Sequence, residues 1–180
     1  KNGELSKTAN QLAKIDRNAK IGIFFSKIVN WFLDVKNKFS RKILELISGI
    51  NKDVIIPKFN NETFISYSKK NKDEVNKLAP GFGRKAVIYS TCYVNYNKKS
   101  TGVAALKVLK KNGVAVQHAY PGCCGMPYLE QADPKKVVEQ AIKVSNELLK
   151  WVDKGYEVIT LTASCGLMLK FEWPLLLPGN

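Results

Sequence analysis

The sequence predicts an α/β fold, a parallel sheet with strand–helix alternation, preceded by a basic α-helical extension. Two observations predict it. From Arg84 onward, short β-rich runs alternate with longer stretches whose apolar residues recur at helical spacing, the pattern of a parallel sheet covered by helices. Before residue 81 that alternation is missing, and lysine-rich segments lead into a stretch punctuated by proline and asparagine. A third observation orients the sheet: each of the three β-rich runs leads into a cysteine.

In chain order, residues 4–20 predict a polar, weakly amphipathic helix or linker. Residues 21–33 follow as a strongly apolar but short run, interrupted by Lys27 and Asn30 and flanked by lysines. It suits a docking helix, packed on the domain or a neighbour or lying on a membrane surface, better than a span. Residues 42–48 continue as a helix that Gly49 closes. Pro57, Pro80, Asn60-Asn61 and the charged run over 69–74 predict an irregular surface linker over 50–83. The expected organisation is a helical extension and linker over 1–80 and a cysteine-rich domain over 81–180. The missing initiator methionine and the abrupt end after Pro178-Gly179-Asn180 add the expectation of a segment of a longer polypeptide.

Within the domain, Lys85-Ala86-Val87-Ile88-Tyr89-Ser90 reads as the first strand, ending at Thr91-Cys92. After a polar loop, a helix spans 101–111, with Val103, Leu106 and Leu109 on one face and Asn112-Gly113 as its stop. Val114-Ala115-Val116-Gln117-His118 is the second strand and runs into Tyr120-Pro121-Gly122-Cys123-Cys124-Gly125-Met126-Pro127. Asp133 caps the next helix, which opens on Pro134. Its apolar stripe runs from Val137 to Val152, and Gly155 ends it. Glu157-Val158-Ile159-Thr160-Leu161-Thr162 is the third strand, leading to Ala163-Ser164-Cys165. A last helix over 166–171 is expected to stop before Pro174.

Right-handed crossovers place the C-terminal ends of all three strands along one edge, where open α/β sheets bind ligands. Cys92, Cys123, Cys124 and Cys165 all fall just past those ends. The intervals of 30 and 40 residues each match about one strand–helix unit, since a parallel crossover takes a dozen residues or more. Adjacent cysteines make a poor disulfide because bridging neighbours strains the peptide between them. As two ligands from one tight loop they make sense, with glycines allowing close approach of the backbone. Several of the cysteines also precede a helix, whose N-terminus favours a thiolate. The four thiols are therefore candidate ligands of one metal or cluster. A tetrathiolate zinc site and an iron–sulfur cluster both satisfy that count, and spacing does not separate them. A thiol–disulfide relay and inert buried cysteines are the remaining readings.

Composition excludes several other classes. The chain is 45% hydrophobic and 24% charged, a globular balance, with a net charge of +14. The basic excess is spread, 16 against 8 acidic residues in 1–80 and 13 against 7 in 81–180. Such diffuse charge suits acidic membranes or acidic partners. Without an arginine-rich block or recognition motif it supports no specific nucleic-acid binding. One histidine leaves no hydrolytic triad, and there is no Gly-x-Gly-x-x-Gly or Walker loop. His118 is positioned to tune a sulfur or to serve as an ordinary strand-end side chain. Met168, three residues past Cys165, faces the site or packs the core.

Cys92-Tyr93-Val94-Asn95-Tyr96-Asn97, Gly122-Cys123-Cys124-Gly125-Met126-Pro127 and Ser164-Cys165 with a helix leading to Pro174 together resemble the cysteine-rich CCG domain family. The similarity is to the type found in the C subunit of anaerobic glycerol-3-phosphate dehydrogenase and the B subunit of heterodisulfide reductase, and it covers about 84–178. The basic helices and the Pro57-Lys58-Phe59 segment resemble what the first type carries before its repeat. The resemblance implies an electron-transferring, non-catalytic subunit of a respiratory-type oxidoreductase. It implies cytoplasmic placement, peripheral on the inner face of the cell membrane, beside a flavoprotein dehydrogenase subunit and a quinone or another redox acceptor. By motif position, Cys92, Cys123, Cys124 and Cys165 become iron–sulfur ligands. The family's motif often ends in Cys-x-x-Cys, whereas here it reads Cys165-Gly166-Leu167-Met168, so four thiolates are on offer and not five.

Overall fold

A computed structural model describes residues 7–71 and 74–177. The N-terminal part is helical: α1 (Lys7–Ala13), α2 (Ile15–Phe24), α3 (Ser26–Leu33) and α4 (Lys38–Ser48). The part of the expected first helix before Lys7 lies outside the described residues. The apolar run over 21–33 is not one helix but two, because the backbone breaks at Phe25. Asn37 caps α4 by accepting from Ser40 N–H, and Gly49 closes it in the left-handed conformation, φ 73°. Both ends of α4 thus follow from local side-chain and backbone chemistry.

The expected irregular stretch contains a helix, α5 (Phe64–Lys70), capped by Thr63. Polar and charged neighbours hide it in the sequence. What holds it is Phe64, fully buried against Ile88, Val94 and Leu106. Tertiary burial here outweighs a weak local signal.

The domain then alternates as expected: β1 (Lys85–Tyr89), α6 (Cys92–Tyr96), α7 (Lys99–Lys111), β2 (Ala115–Ala119), α8 (Met126–Glu130), α9 (Pro134–Val152), β3 (Glu157–Thr160) and α10 (Ala163–Leu167). The strands form one parallel sheet in the order β2-β1-β3. Tyr89 of β1 pairs with Ala119 on one side and Thr160 on the other, so the three C-terminal ends share one edge. The expected polar loop after β1 is instead the short α6.

Successive strand residues point to opposite faces, and β1 divides the core accordingly. Ile88 faces Phe64, Val94 and Leu106. Tyr89 faces Val137, Ala141, Val144 and Leu148 of α9, an i, i+4, i+7, i+11 stripe. Burying each of its larger side chains contributes roughly 1.5–3 kcal/mol.

The last helix does not stop before Pro174. A π-helical stretch, Met168–Glu172, leads from α10 into α11 (Trp173–Leu176). Pro174 lies in the first turn of α11, where a missing N–H breaks no hydrogen bond of that helix.

Candidate metal centre

The edge shared by the strand ends carries all four cysteines. Cys92 opens α6, Cys123 and Cys124 lie in the loop between β2 and α8, and Cys165 lies in α10. Cys123, Cys124 and Cys165 are buried together with Tyr89, Met168 and Trp173, and the partly exposed Cys92 packs against them. The four thiols are free of disulfides. Their sulfurs form a chain: Cys123 has Cys92 and Cys124 as neighbours, and Cys124 Sγ donates to Cys165 Sγ at 3.2 Å.

That chain separates the protonation states. The neighbouring Cys124 and Cys92 side chains lower the Cys123 thiol to about 4, against the penalty of burial. Cys165 is likewise lowered, by its bond from Cys124. Cys92 and Cys124 are raised, Cys92 first by the neighbouring Cys123 and then by burial, Cys124 by the neighbouring Cys123 and Cys165. Ionisation is thus favoured at Cys123 and Cys165 over Cys92 and Cys124.

As a donor set, four sulfurs from three strand ends fit a thiolate-bound metal or cluster. Their spacing is that of thiol–thiolate contacts. Among the described residues no group of three or more His, Cys, Asp or Glu side chains is arranged to hold a metal ion as it stands. A tetrahedral tetrathiolate with metal–sulfur bonds of about 2.3 Å separates its sulfurs by about 3.8 Å, so ligation requires Cys124 and Cys165 to move apart.

The surrounding shell fixes the loops rather than the sulfurs. Tyr89 Oη donates to Gly122 O at 2.7 Å, and Trp173 Nε1 donates to Cys124 O at 3.0 Å. Two carbonyls of the Cys-Cys loop are thereby held from inside the core. Gly125 adopts φ 91°, a left-handed conformation that glycine takes without strain and that turns the loop into α8. Thr91, a β-branched residue at φ 43°, is a backbone outlier. Its hydroxyl accepts from Val94 N–H and pairs with the Thr162 hydroxyl at 3.0 Å, which ties the Cys92 loop to the Cys165 loop.

The extension reaches the site as well. Tyr120, three residues before Cys123, donates to the Asp16 carboxylate of α2. Tyr120 also stacks edge-on against Tyr96, with ring centroids 5.4 Å apart. Burial and the bond to Asp16 push the Tyr120 phenol up.

The four cysteines expected from the sequence lie together at this edge, and the sequence reading missed their supports. Strand alternation gave a signal for Tyr89, three residues before Cys92. No local pattern pointed to Trp173, to Asp16 or to the Thr91–Thr162 pair. Met168 is fully buried within the cysteine cluster. His118 lies elsewhere, edge-on to Phe64 at 6.3 Å and near Lys69 and Lys110, as a strand-end side chain.

Residues 86–170 match the cysteine-rich domain CCG. The C subunit of anaerobic glycerol-3-phosphate dehydrogenase from Escherichia coli K12 is 27% identical over 165 residues, 91% of this chain and 40% of that protein. The B subunit of fumarate reductase (CoM/CoB) from Methanothermobacter marburgensis is 28% identical over 123 residues, 66% of this chain and 24% of that protein. The chain therefore spans well under half the length of the curated relatives it matches. No solved structure gives a significant match.

Proposed function

With residues 86–170 a cysteine-rich CCG domain, we propose that the chain is an electron-transferring part of a multi-subunit oxidoreductase. Cys92, Cys123, Cys124 and Cys165 hold an iron–sulfur cluster in it. One observation carries this reading: three separate strand ends deliver four free thiols into a single contact chain beneath a buried shell. The names of the relatives, subunits of two oxidoreductases, support the assignment to a redox complex. A bound cluster supplies one-electron transfer at a potential set by its hydrogen bonds and exposure. The chain's own part is to hold it. Tyr89 and Trp173 anchor the Cys-Cys loop, the Thr91–Thr162 pair keeps Cys92 and Cys165 in register, and Met168 excludes water from the inner side.

Its partners are a flavoprotein dehydrogenase subunit and a quinone or another redox acceptor. The setting is cytoplasmic, peripheral on the inner face of the cell membrane. Among the described residues no helix is long and apolar enough to cross a membrane. The helical part exposes Phe24, Phe25, Ile28 and Trp31 amid lysines, which suits contact with an anionic surface.

Anaerobic reconstitution with iron and sulfide tests the centre. Expected are bound iron and labile sulfide in near-stoichiometric amounts, with visible absorbance that is lost in Cys124→Ser. Stoichiometric zinc with no labile sulfide overturns the cluster in favour of a zinc-stabilised module. A reversible two-electron thiol couple with no metal assigns a relay instead. Sedimentation with anionic vesicles at low salt tests the membrane contact separately.

A further inference from the structure

The helical extension holds an apolar cavity of about 510 Å³, within the 300–1,000 Å³ usual for ligand sites. α2 contributes Ala19 and Gly22, α3 contributes Val29 and Leu33, α4 contributes Leu44, and the segment 50–59 closes the far wall. Polar lining is sparse and already engaged. Ser48 Oγ donates to Leu44 O at 2.6 Å, and Asn18 Nδ2 donates to Gln11 O at 3.1 Å.

The far wall is fastened to α4 and α3 near its two ends. Arg41 of α4, 1% exposed, donates through Nε to Lys52 O and through Nη2 to Asn51 O and Val54 O. Its buried Nη1 has no partner. Asn30 of α3 fastens the other end of the segment, donating to Phe59 O and accepting from Phe59 N–H, both at 2.8 Å. The Phe59 ring covers Gly22, where a Cβ would lie 2.5 Å from it. Burying an arginine without a carboxylate is costly, and here the guanidinium fixes the course of the segment through three carbonyls.

The mouth of the cavity identifies its occupant. Ile15, Ile21, Val54 and Ile55 line it and remain 41–81% exposed. Phe24, Phe25 and Ile28, which follow Ile21 along the chain, are 50–79% exposed. Residues 14–58 carry ten Lys or Arg against four Asp or Glu, and two of those acids, Asp16 and Asp34, are paired with Lys20 and Lys58. A cationic, aromatic surface of this kind faces anionic lipid. A loop or strand from a protein partner would leave its backbone N–H and C=O groups without partners inside. A sphere of this volume is about 10 Å across, no wider than one helix with its side chains. A hydrocarbon chain meets neither obstacle.

We infer that this cavity takes up the hydrocarbon chain, acyl or isoprenoid, of a membrane lipid. The inference rests on the peripheral membrane contact proposed above. It also sets the site close to the cysteines, because α2 lines the cavity through Ala19 and Gly22 and bonds through Asp16 to Tyr120.

Binding of 11-(dansylamino)undecanoic acid to the whole chain tests it. Expected is saturable 1:1 binding with blue-shifted emission, weakened at least tenfold in Leu44→Trp, which fills the cavity from α4, with unchanged circular dichroism. Val29→Phe fills it from α3 and serves if the first variant does not fold. Displacement by oleate assigns an acyl chain, and displacement by geranylgeraniol assigns an isoprenoid chain; displacement by neither overturns the inference. Binding unaffected by both filling variants overturns it as well. Failure of the other readings stays separate. Phe24→Ser/Phe25→Ser is expected to lose vesicle binding while keeping the probe, and Cys124→Ser is expected to lose iron while keeping it.

Discussion

Replacing Tyr89 by Phe removes a single oxygen from the centre of the domain. Tyr89 is fully buried, and its hydroxyl donates to Gly122 O at 2.7 Å. The ring stays, so packing against α9 is preserved. The Gly122 carbonyl loses its buried donor, which costs about 2 kcal/mol on the usual scale of 1–3 kcal/mol for an unsatisfied group. With a urea m-value of about 2 kcal/mol/M for a small protein, the unfolding midpoint falls by about 1 M at unchanged m. Burial and the neighbouring Cys124 hold the Tyr89 phenol far above its usual range, so it remains a donor and the difference is the same at pH 6 and pH 9. Circular dichroism across a urea series measures it. A midpoint within about 0.2 M of the parent, well below the expected 1 M, refutes the claim that this bond anchors the Cys-Cys loop. A changed slope would place the effect in the denatured chain instead.

Three further outcomes are expected. Burial, with Lys69 and Lys110 nearby, holds His118 below its ordinary value of 6.5, so the unfolded chain takes up this proton first as pH falls. His118 therefore destabilises the fold progressively below pH 6.5 and has no effect above it. His118→Gln should flatten that part of a stability–pH profile. Arg41→Leu strips donors from three carbonyls and should cost about 3 kcal/mol, with faster hydrogen exchange at Ile55 and Ile56. Asp133→Ala removes the cap that accepts from Lys136 N–H at 3.2 Å and should cost about 1 kcal/mol in thermal unfolding.

Much of the domain was legible because its signals are local. Periodicity placed α7 and α9, Asp133 and Pro134 marked a helix start, and Gly113 and Gly155 marked stops with positive φ. The cysteines were legible for the same reason: strand ends can be read, and parallel strands align them. Phe64 and α5 were not, since burial against Ile88 is a contact across the chain. The supports of the site were hidden likewise. Trp173 reaches Cys124 O across 49 residues and Asp16 reaches Tyr120 across 104, distances at which no sequence window carries information. The run through Pro174 was misread because proline disfavours the interior of a helix but not its first turn.

The order β2-β1-β3 has a consequence for how the cysteine edge tolerates change. Cys92 follows the central strand, and the other two cysteine loops follow the strands on either side of it. The separation of the loops is therefore set by the sheet's hydrogen-bonding repeat, about 4.8 Å per strand, and not by the length of chain between them. α7 and α9 return the chain to the opposite edge, where β1, β2 and β3 begin. Insertions or deletions at those turns change the sequence spacing of the cysteines while the backbone ladder keeps the gauge between them. The sheet thus acts as a ruler, and the distances along it outlast the distances along the chain.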